Sequence, residues 1–434
     1  MPRGQRLPRQ VRQGQRDGGR PRRPRAGGGG RRAPRDSAPV RALRLRLHRR
    51  AQGGLPRLPA PARAQAHRRR RRRRRQHRRL PPRREQLPRV RARPERSLAV
   101  ARARVRRRRH GSEHPEDLVR LSAFISPGGD LKAAVELVRR AETLHYESVW
   151  VTHGLGRDSF LVLAAYGAAT TRLGLGNGVV PIYPRHPVAM AQAALTLSEL
   201  SGGRFRLGIG VSHRASMETM LGLAVVEPLA VMREYVAVLR GALGAGVDFS
   251  GKYYRVQWSL ALPTRPPAPP IHLAALGPKM CELAGEIADG VILWLTSPDY
   301  VRDVARPALE RGRRRAGKTL EGFEIVAAVP LAVTDDRAGA LASFRTELVR
   351  YVTLPFYRAM MEASGLGEAL RAYDRDGAVP EALALALGGI GNADTARAFL
   401  EAYRRAGVTL PAVRPITFPD APWYRRTLEE AAGW

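Results

Sequence analysis

Two histidines and one glycine–proline–lysine step are the residues of this 434-residue chain with the plainest chemical use. His153 follows the apolar run Ser148 to Thr152, and His213 follows Phe205 to Ile209 after a short Gly210-Val211-Ser212 turn. An imidazole titrates near neutrality, so either ring can exchange a proton or hold a polar ligand. Each also fits a polar loop residue with no such duty. Gly277-Pro278-Lys279-Met280 reads as the opening of a helix, where N–H groups bind phosphate and Lys279 adds charge. Pro278 has no N–H, so Gly277, Lys279 and Met280 have to supply the donors. Arg185 and His186 precede Pro187, a place that suits either packing at a helix start or a polar contact to a ligand. No HExxH or paired-cysteine spacing points to a metal. The single cysteine, Cys281, excludes an internal disulfide and reads as a small buried hydrophobe.

The elements that position these residues alternate. Residues 172–213 read as one strand–helix–strand unit. Leu173 to Val180 ends in Gly176-Asn177-Gly178, and Val188, Ala191, Ala194, Leu195 and Ser198 recur at helical spacing. Gly202-Gly203 stops that helix, and Phe205 to Ile209 is the next strand, with Gly208 and Gly210 at its end. Glycine at both strand ends would let a flat ligand approach the backbone. Further strands are expected at Val119–Ile125, Ser148–Thr152, Ile271–Ala275, Gly290–Leu295, Phe323–Val333 and Val408–Val413. Asp130 caps a first helix, Asp158 or Ser159 opens a second, Glu227 to Leu243 forms a fourth, and Asp394 caps the last. A hairpin at Val247–Leu262 with a proline linker, and a helical stretch at 353–390, interrupt the rhythm. Eight strands each followed by a helix predict a (β/α)8 TIM barrel with insertions, whose working residues lie at the C-terminal strand ends. Trp150, Trp258, Trp294, Phe356 and Tyr357 are expected in the core or pocket wall.

Four stretches carry a resemblance: GRDSF at Gly156–Phe160, GNGVVPIYPRHP at Gly176–Pro187, ELSGGRFRLGIG at Glu199–Gly210 and AALGPKM at Ala274–Met280. Over roughly residues 118–417 the chain resembles the luciferase-like flavin and deazaflavin oxidoreductases, especially the branch that uses coenzyme F-420. The resemblance implies hydride transfer between that coenzyme and a small organic substrate, with FMN-dependent oxygenation as the alternative. It implies a non-proline cis peptide at Gly178–Val179, so that Asn177, Gly178 and Val179 back one face of the ring system. It places the coenzyme's phosphate at Gly277–Met280, with His186 as a further contact. Related deazaflavin enzymes carry an acid–histidine pair at the end of strand two, where this chain has His153 alone. Sugar-phosphate dehydrogenases of the family have a glutamate where His213 stands. A homodimer is also implied.

Composition divides the chain. Residues 1–115 contain 41 arginines, no lysine and 5 acidic residues, a net charge of +36, and leave 35 basic and 33 acidic residues for 116–434. The first segment has no Phe, Tyr, Trp or Ile and cannot bury enough apolar area to offset its ordering entropy, so disorder is expected there. Three readings stay open for it: a phosphate-binding tail, a transit peptide, or translated DNA upstream of the true start, which GC-rich codons for Arg, Pro, Gly and Ala would produce. Nucleic-acid binding is not expected of the enzyme, since no aromatic interleaves the basic run Arg68–Arg75. The catalytic domain is expected at 116–434. No apolar run approaches the roughly 18 residues that span a bilayer, so a cytoplasmic protein is expected.

Overall fold

The computed structural model describes residues 120–154, 156–417 and 420–434, and the expectations for 1–115 lie outside that set. The strands are β1 (Ser122–Phe124), β2 (Ser148–Val151), β3 (Gly174–Asn177), β4 (Val180–Pro181), β5 (Phe205–Gly210), β6 (Gly246–Ser250), β7 (Arg255–Ser259), β8 (Ile271–Ala274), β9 (Gly290–Trp294), β10 (Glu324–Val333), β11 (Gly389–Gly391) and β12 (Leu410–Pro415). β1, β2, β3, β5, β8, β9, β10 and β12 pair in that order, all parallel, and β12 returns to β1. The eight-stranded barrel read from the sequence is therefore closed. The main outer helices are α1 (Leu131–Thr143), α2 (Ser159–Ala169), α3 (Pro187–Leu200), α4 (Pro228–Leu243), α5 (Pro278–Ile287) and α6 (Arg306–Arg315). Those of the C-terminal third are α7 (Arg337–Val352), α8 (Pro355–Ala363), α9 (Gly367–Asp376), α10 (Glu381–Leu387), α11 (Ala393–Arg405) and α12 (Trp423–Ala431). β6 and β7 form the expected antiparallel hairpin.

Two local expectations need correcting. The cap of α11 is Asn392, whose side-chain oxygen accepts the Thr395 N–H at 2.9 Å, and Asp394 stands inside the first turn. The last helix is α12, which buries Trp423, Tyr424, Thr427, Leu428 and Ala431 at helical spacing.

The core has two shells. Outward-facing strand residues such as Val149, Leu175 and Leu207 pack under the helices. Phe124, Trp150, Ile292, Val326, Ala328, Leu410 and Ala412 fill the barrel interior. At Gly176 and Gly178 the space a side chain would take is filled by that interior, a use of the strand-end glycines that the sequence does not show. A Cβ on Gly176 would lie 2.3 Å from the Trp150 ring, and one on Gly178 2.5 Å from Phe124. The motif Gly202-Gly203-Arg204-Phe205-Arg206 is likewise scaffold. Both glycines hold positive φ, +63° and +84°, as they end α3. Arg204 donates to the carbonyls of Gly167, Thr170, Leu173 and Ser201, closing the C-terminus of α2.

Arg206 belongs to an ionic cluster at the N-terminal end of the barrel. It reaches Glu147 at 2.6 Å and Glu324 at 2.9 Å, and the buried His272 reaches Glu324 at 2.9 Å. Burial alone would raise the Glu324 carboxyl, but His272 and Arg206 outweigh it and hold the group far below the usual carboxylate range. A depressed carboxylate stabilises the fold above its unfolded-state pKa, and that contribution is lost as pH falls through the folded value. Glu324→Gln should cost about 1–3 kcal/mol, because it removes the charged partner that Arg206 and His272 share, while Glu147 still pairs with Arg206. Urea unfolding at neutral pH measures this, and the difference from wild type should shrink in strong acid.

Candidate active site

The residues singled out for binding or proton exchange lie at or just beyond C-terminal strand ends, so the barrel carries them to one face. Their contacts divide them into separate groups.

His153 and Asn177 are joined through Ser159. Asn177 Nδ2 donates to Ser159 Oγ at 2.8 Å, and Ser159 Oγ lies 3.0 Å from His153 Nδ1. The backbone N–H of Ser159 also donates to that nitrogen, at 3.3 Å. Asp158 caps α2 through the Phe160 N–H and pairs with Arg185 at 2.6 Å. Burial would raise the Asp158 carboxyl, but the Phe160 N–H and Arg185 bring it below its ordinary value. His153 is half-buried, and burial lowers its pKa. Asn177 is fully buried, and its Oδ1 has no partner.

The Gly178–Val179 peptide is cis, as the resemblance implied. Gly178 N–H donates to the Val151 carbonyl at 2.9 Å, tying the bulge to the end of β2 beside His153. Val179 packs on the interior cluster that includes Phe124.

His213 stands at the end of β5, after Ser212 at φ +63°. A non-glycine residue in that region is uncommon, and such residues cluster at functional sites. The His213 ring packs 5.8 Å from Tyr357 of α8. The residue is exposed overall, yet desolvation of the ring lowers its pKa. From Tyr357 an aromatic chain descends into the barrel. Tyr351 meets Tyr357 edge-on at 4.9 Å, Trp294 Nε1 donates to the Tyr351 hydroxyl at 3.2 Å, and Phe124 meets Trp294 edge-on at 5.3 Å. Arg414 sits over the Trp294 ring at 5.4 Å and pairs with Glu347 at 3.0 Å. α7 and the insertion helix α8 thus supply one wall of the mouth. Phe356 is no part of it, at 74% exposed, whereas Trp150 is fully buried in the interior.

His186 caps α3, its Nδ1 accepting the Val188 N–H at 3.3 Å, and its ring meets Tyr254 of the hairpin region at 6.0 Å. Helix capping therefore occupies one of its nitrogens.

At α5 the first turn has no side-chain cap. A Cβ on Gly277 would meet nothing within 4 Å, and Lys279 is exposed. The turn has room for a phosphate. The Met280 N–H, however, donates to the Gly277 carbonyl at 3.0 Å, so Gly277 and Lys279 remain as the donors. Two surface clefts of about 370 and 440 Å3 lie elsewhere, one against Arg233 and Glu286 and one along Pro266–Pro269, and neither includes a strand-end residue. Chemistry, not cleft size, makes the barrel mouth the candidate site.

In the sequence Ser159 reads only as a helix opener, and Glu347, Tyr351 and Arg414 are not marked by any motif. Arg414 was within reach of the strand-end rule, one residue past the expected end of strand eight. Among the described residues no group of three or more His, Cys, Asp or Glu is placed to hold a metal, and no helix is long and apolar enough to cross a membrane.

The sequence profile of the luciferase-like monooxygenase family matches residues 116–410. A Mycobacterium tuberculosis protein named as a coenzyme F-420-dependent oxidoreductase is 36% identical over 234 residues, covering 50% of this chain and 67% of that one. The 5,10-methylenetetrahydromethanopterin reductase of Archaeoglobus fulgidus is 32% identical over 249 residues, covering 57% and 72%. Two solved structures share the fold. The coenzyme F-420-dependent tetrahydromethanopterin reductase of Methanopyrus kandleri has a TM-score of 0.62 at 24% identity, over 72% of this chain and 97% of its own. The oxygenating constituent of the Pseudomonas putida 3,6-diketocamphane monooxygenase, solved with FMN, has a TM-score of 0.55 at 16% identity, over 72% and 97%. With the profile spanning most of the chain and two relatives above 30% identity, this protein belongs to the luciferase-like monooxygenase family of oxidoreductases.

Proposed function

We propose that the protein is a coenzyme F-420-dependent oxidoreductase acting on a small organic molecule. When bound, the deazaflavin supplies hydride chemistry at its C5 carbon. Gly277 and Lys279 hold its phosphate at the open turn of α5. Asn177, Gly178 and Val179 back one face of the ring. His213 exchanges the substrate's proton, and His153 contributes a polar contact beside the bulge. The observation that carries this reading over a flavin is the identity ranking. Two relatives, at 36% and 32% identity, are named for F-420 or for methylenetetrahydromethanopterin reduction. The second reading, an FMN-dependent monooxygenase, draws support from the FMN-containing neighbour, which shares the fold alone. A catalytic domain at 116–434 and a homodimer are part of the same proposal.

The test is fluorescence titration of the full-length protein with F-420 and, separately, FMN, at enough salt to screen the arginine-rich segment. F-420 should bind at least about 10-fold tighter than FMN, and Lys279→Ala should weaken F-420 by roughly 10-fold, the worth of one charged contact. FMN preference with oxygen consumption would move the protein to the monooxygenase reading.

A further inference from the structure

His153 has two possible uses at this site, proton carrier or hydrogen-bond donor, and the bonds around its ring separate them. Nδ1 receives the backbone N–H of Ser159 at 3.3 Å. A backbone N–H only donates, so Nδ1 presents a lone pair and carries no proton. The second contact agrees. Asn177 Nδ2 donates to Ser159 Oγ at 2.8 Å, leaving the hydroxyl proton to point at Nδ1, 3.0 Å away. Two donors converge on one unprotonated nitrogen, so the ring's proton belongs on Nε2. An imidazolium would set an Nδ1–H against a backbone N–H that cannot turn away.

We propose that Ser159 is a positioning residue that locks His153 as the neutral, Nε2-protonated imidazole, so that His153 acts as a fixed hydrogen-bond donor to an oxygen at the barrel mouth and not as the proton carrier. Its charged neighbours do not oppose this. Asp158, at the cap of α2, favours the imidazolium, and Arg185, ahead of α3, disfavours it, but the two are paired at 2.6 Å and their fields largely cancel. Burial favours the neutral ring. A neutral imidazole held in place polarises an oxygen on which negative charge develops, with no reorganisation at the moment of reaction. Proton exchange is then left to His213. What the Nε2–H meets rests on the hydride-transfer reading, but the tautomer does not.

The experiment separates the two. Full-length protein labelled with 15N-histidine is studied without coenzyme by two-bond 1H–15N correlation, with the His153 signals assigned by their loss in His153→Gln. The neutral Nε2–H pattern should persist from about pH 8 down to about pH 6, through the range where an ordinary histidine titrates. Ser159→Ala, which keeps the backbone donor but loses the hydroxyl, should give mixed tautomers and a higher pKa, and Ser159→Thr should restore the wild-type pattern. An Nδ1–H or imidazolium pattern in the wild type at neutral pH overturns the proposal, whether or not any variant folds. In turnover with F-420, Ser159→Ala should lower kcat about 10-fold with little change in KM, and an unchanged kcat with an unchanged tautomer also overturns it. Absence of F-420 binding would overturn the coenzyme reading while the NMR arm still decides the tautomer.

Discussion

Gly208→Ala should cost more than about 4 kcal/mol and leave little soluble barrel, a loss at the extreme end for a single methyl group. Its Cβ would lie 1.8 Å from the Asn177 carbonyl oxygen and 2.7 Å from Ile292 Cδ1. The first contact is with backbone, so no side-chain rotation relieves it. β3 would have to move away from β5, and with it the hydrogen-bonded Asn177–Ser159–His153 arrangement. Overpacking that a flexible core absorbs costs about 1–3 kcal/mol, and here the neighbour's strand, β3, is fixed on both sides by parallel pairing with β2 and β5. Gly129→Ala is the matched control, because a Cβ there meets nothing within 4 Å, and it should stay within about 0.5 kcal/mol of wild type. Urea unfolding followed by tryptophan fluorescence compares the three proteins. Equal midpoints for Gly208→Ala and wild type would mean that β3 and β5 do not approach as closely as described.

That glycine also marks the limit of what could be read from residues alone. The eight barrel strands were legible because parallel strands buried on both faces leave short, mostly apolar runs at regular spacing. Helix starts were legible where Asp130 and Asp158 cap. The glycines of β3 and β5 were legible as a pattern but not in purpose. A missing side chain looks the same in sequence whether a ligand or Trp150 fills the space, and only the contact across strands decides. The aromatic wall was hidden for a different reason. Trp294, Tyr351, Tyr357 and Arg414 come from two strands and two helices, and no local periodicity links them. α12 was not expected, because it lies beyond the last expected strand and the repeat of strand and helix that marks the others had ended. His153 and Ser159 are six residues apart across a loop and helix start, a spacing with no meaning until the backbone turns Ser159 toward Nδ1.

His213→Gln should lower kcat by about 100- to 10,000-fold, the usual worth of a general acid or base, with little change in F-420 binding. Tyr357 covers one side of the ring, and desolvation is the cause that depresses its pKa. The sign decides which direction of reaction suits it. A histidine below its ordinary pKa is neutral at pH 7, so it is ready to take a proton as the substrate is oxidised. Oxidation should therefore run at full rate above the lowered pKa and fall as pH drops through it. Reduction needs the imidazolium and should fall as pH rises through the same value. His213→Gln should flatten both profiles, because glutamine is of similar reach but does not titrate. His153→Gln should lower the rate and leave the limb in place, since a ring already protonated on Nε2, with Nδ1 held by Ser159, has no proton to exchange in that range. Measuring kcat against pH for the wild type and both variants assigns the limb. If it survives in His213→Gln and vanishes in His153→Gln, the roles are reversed and the hydrogen bonds to Nδ1 must break during turnover. If it survives in both, the proton passes through neither histidine, and the aromatic wall and Arg414 become the next groups to test.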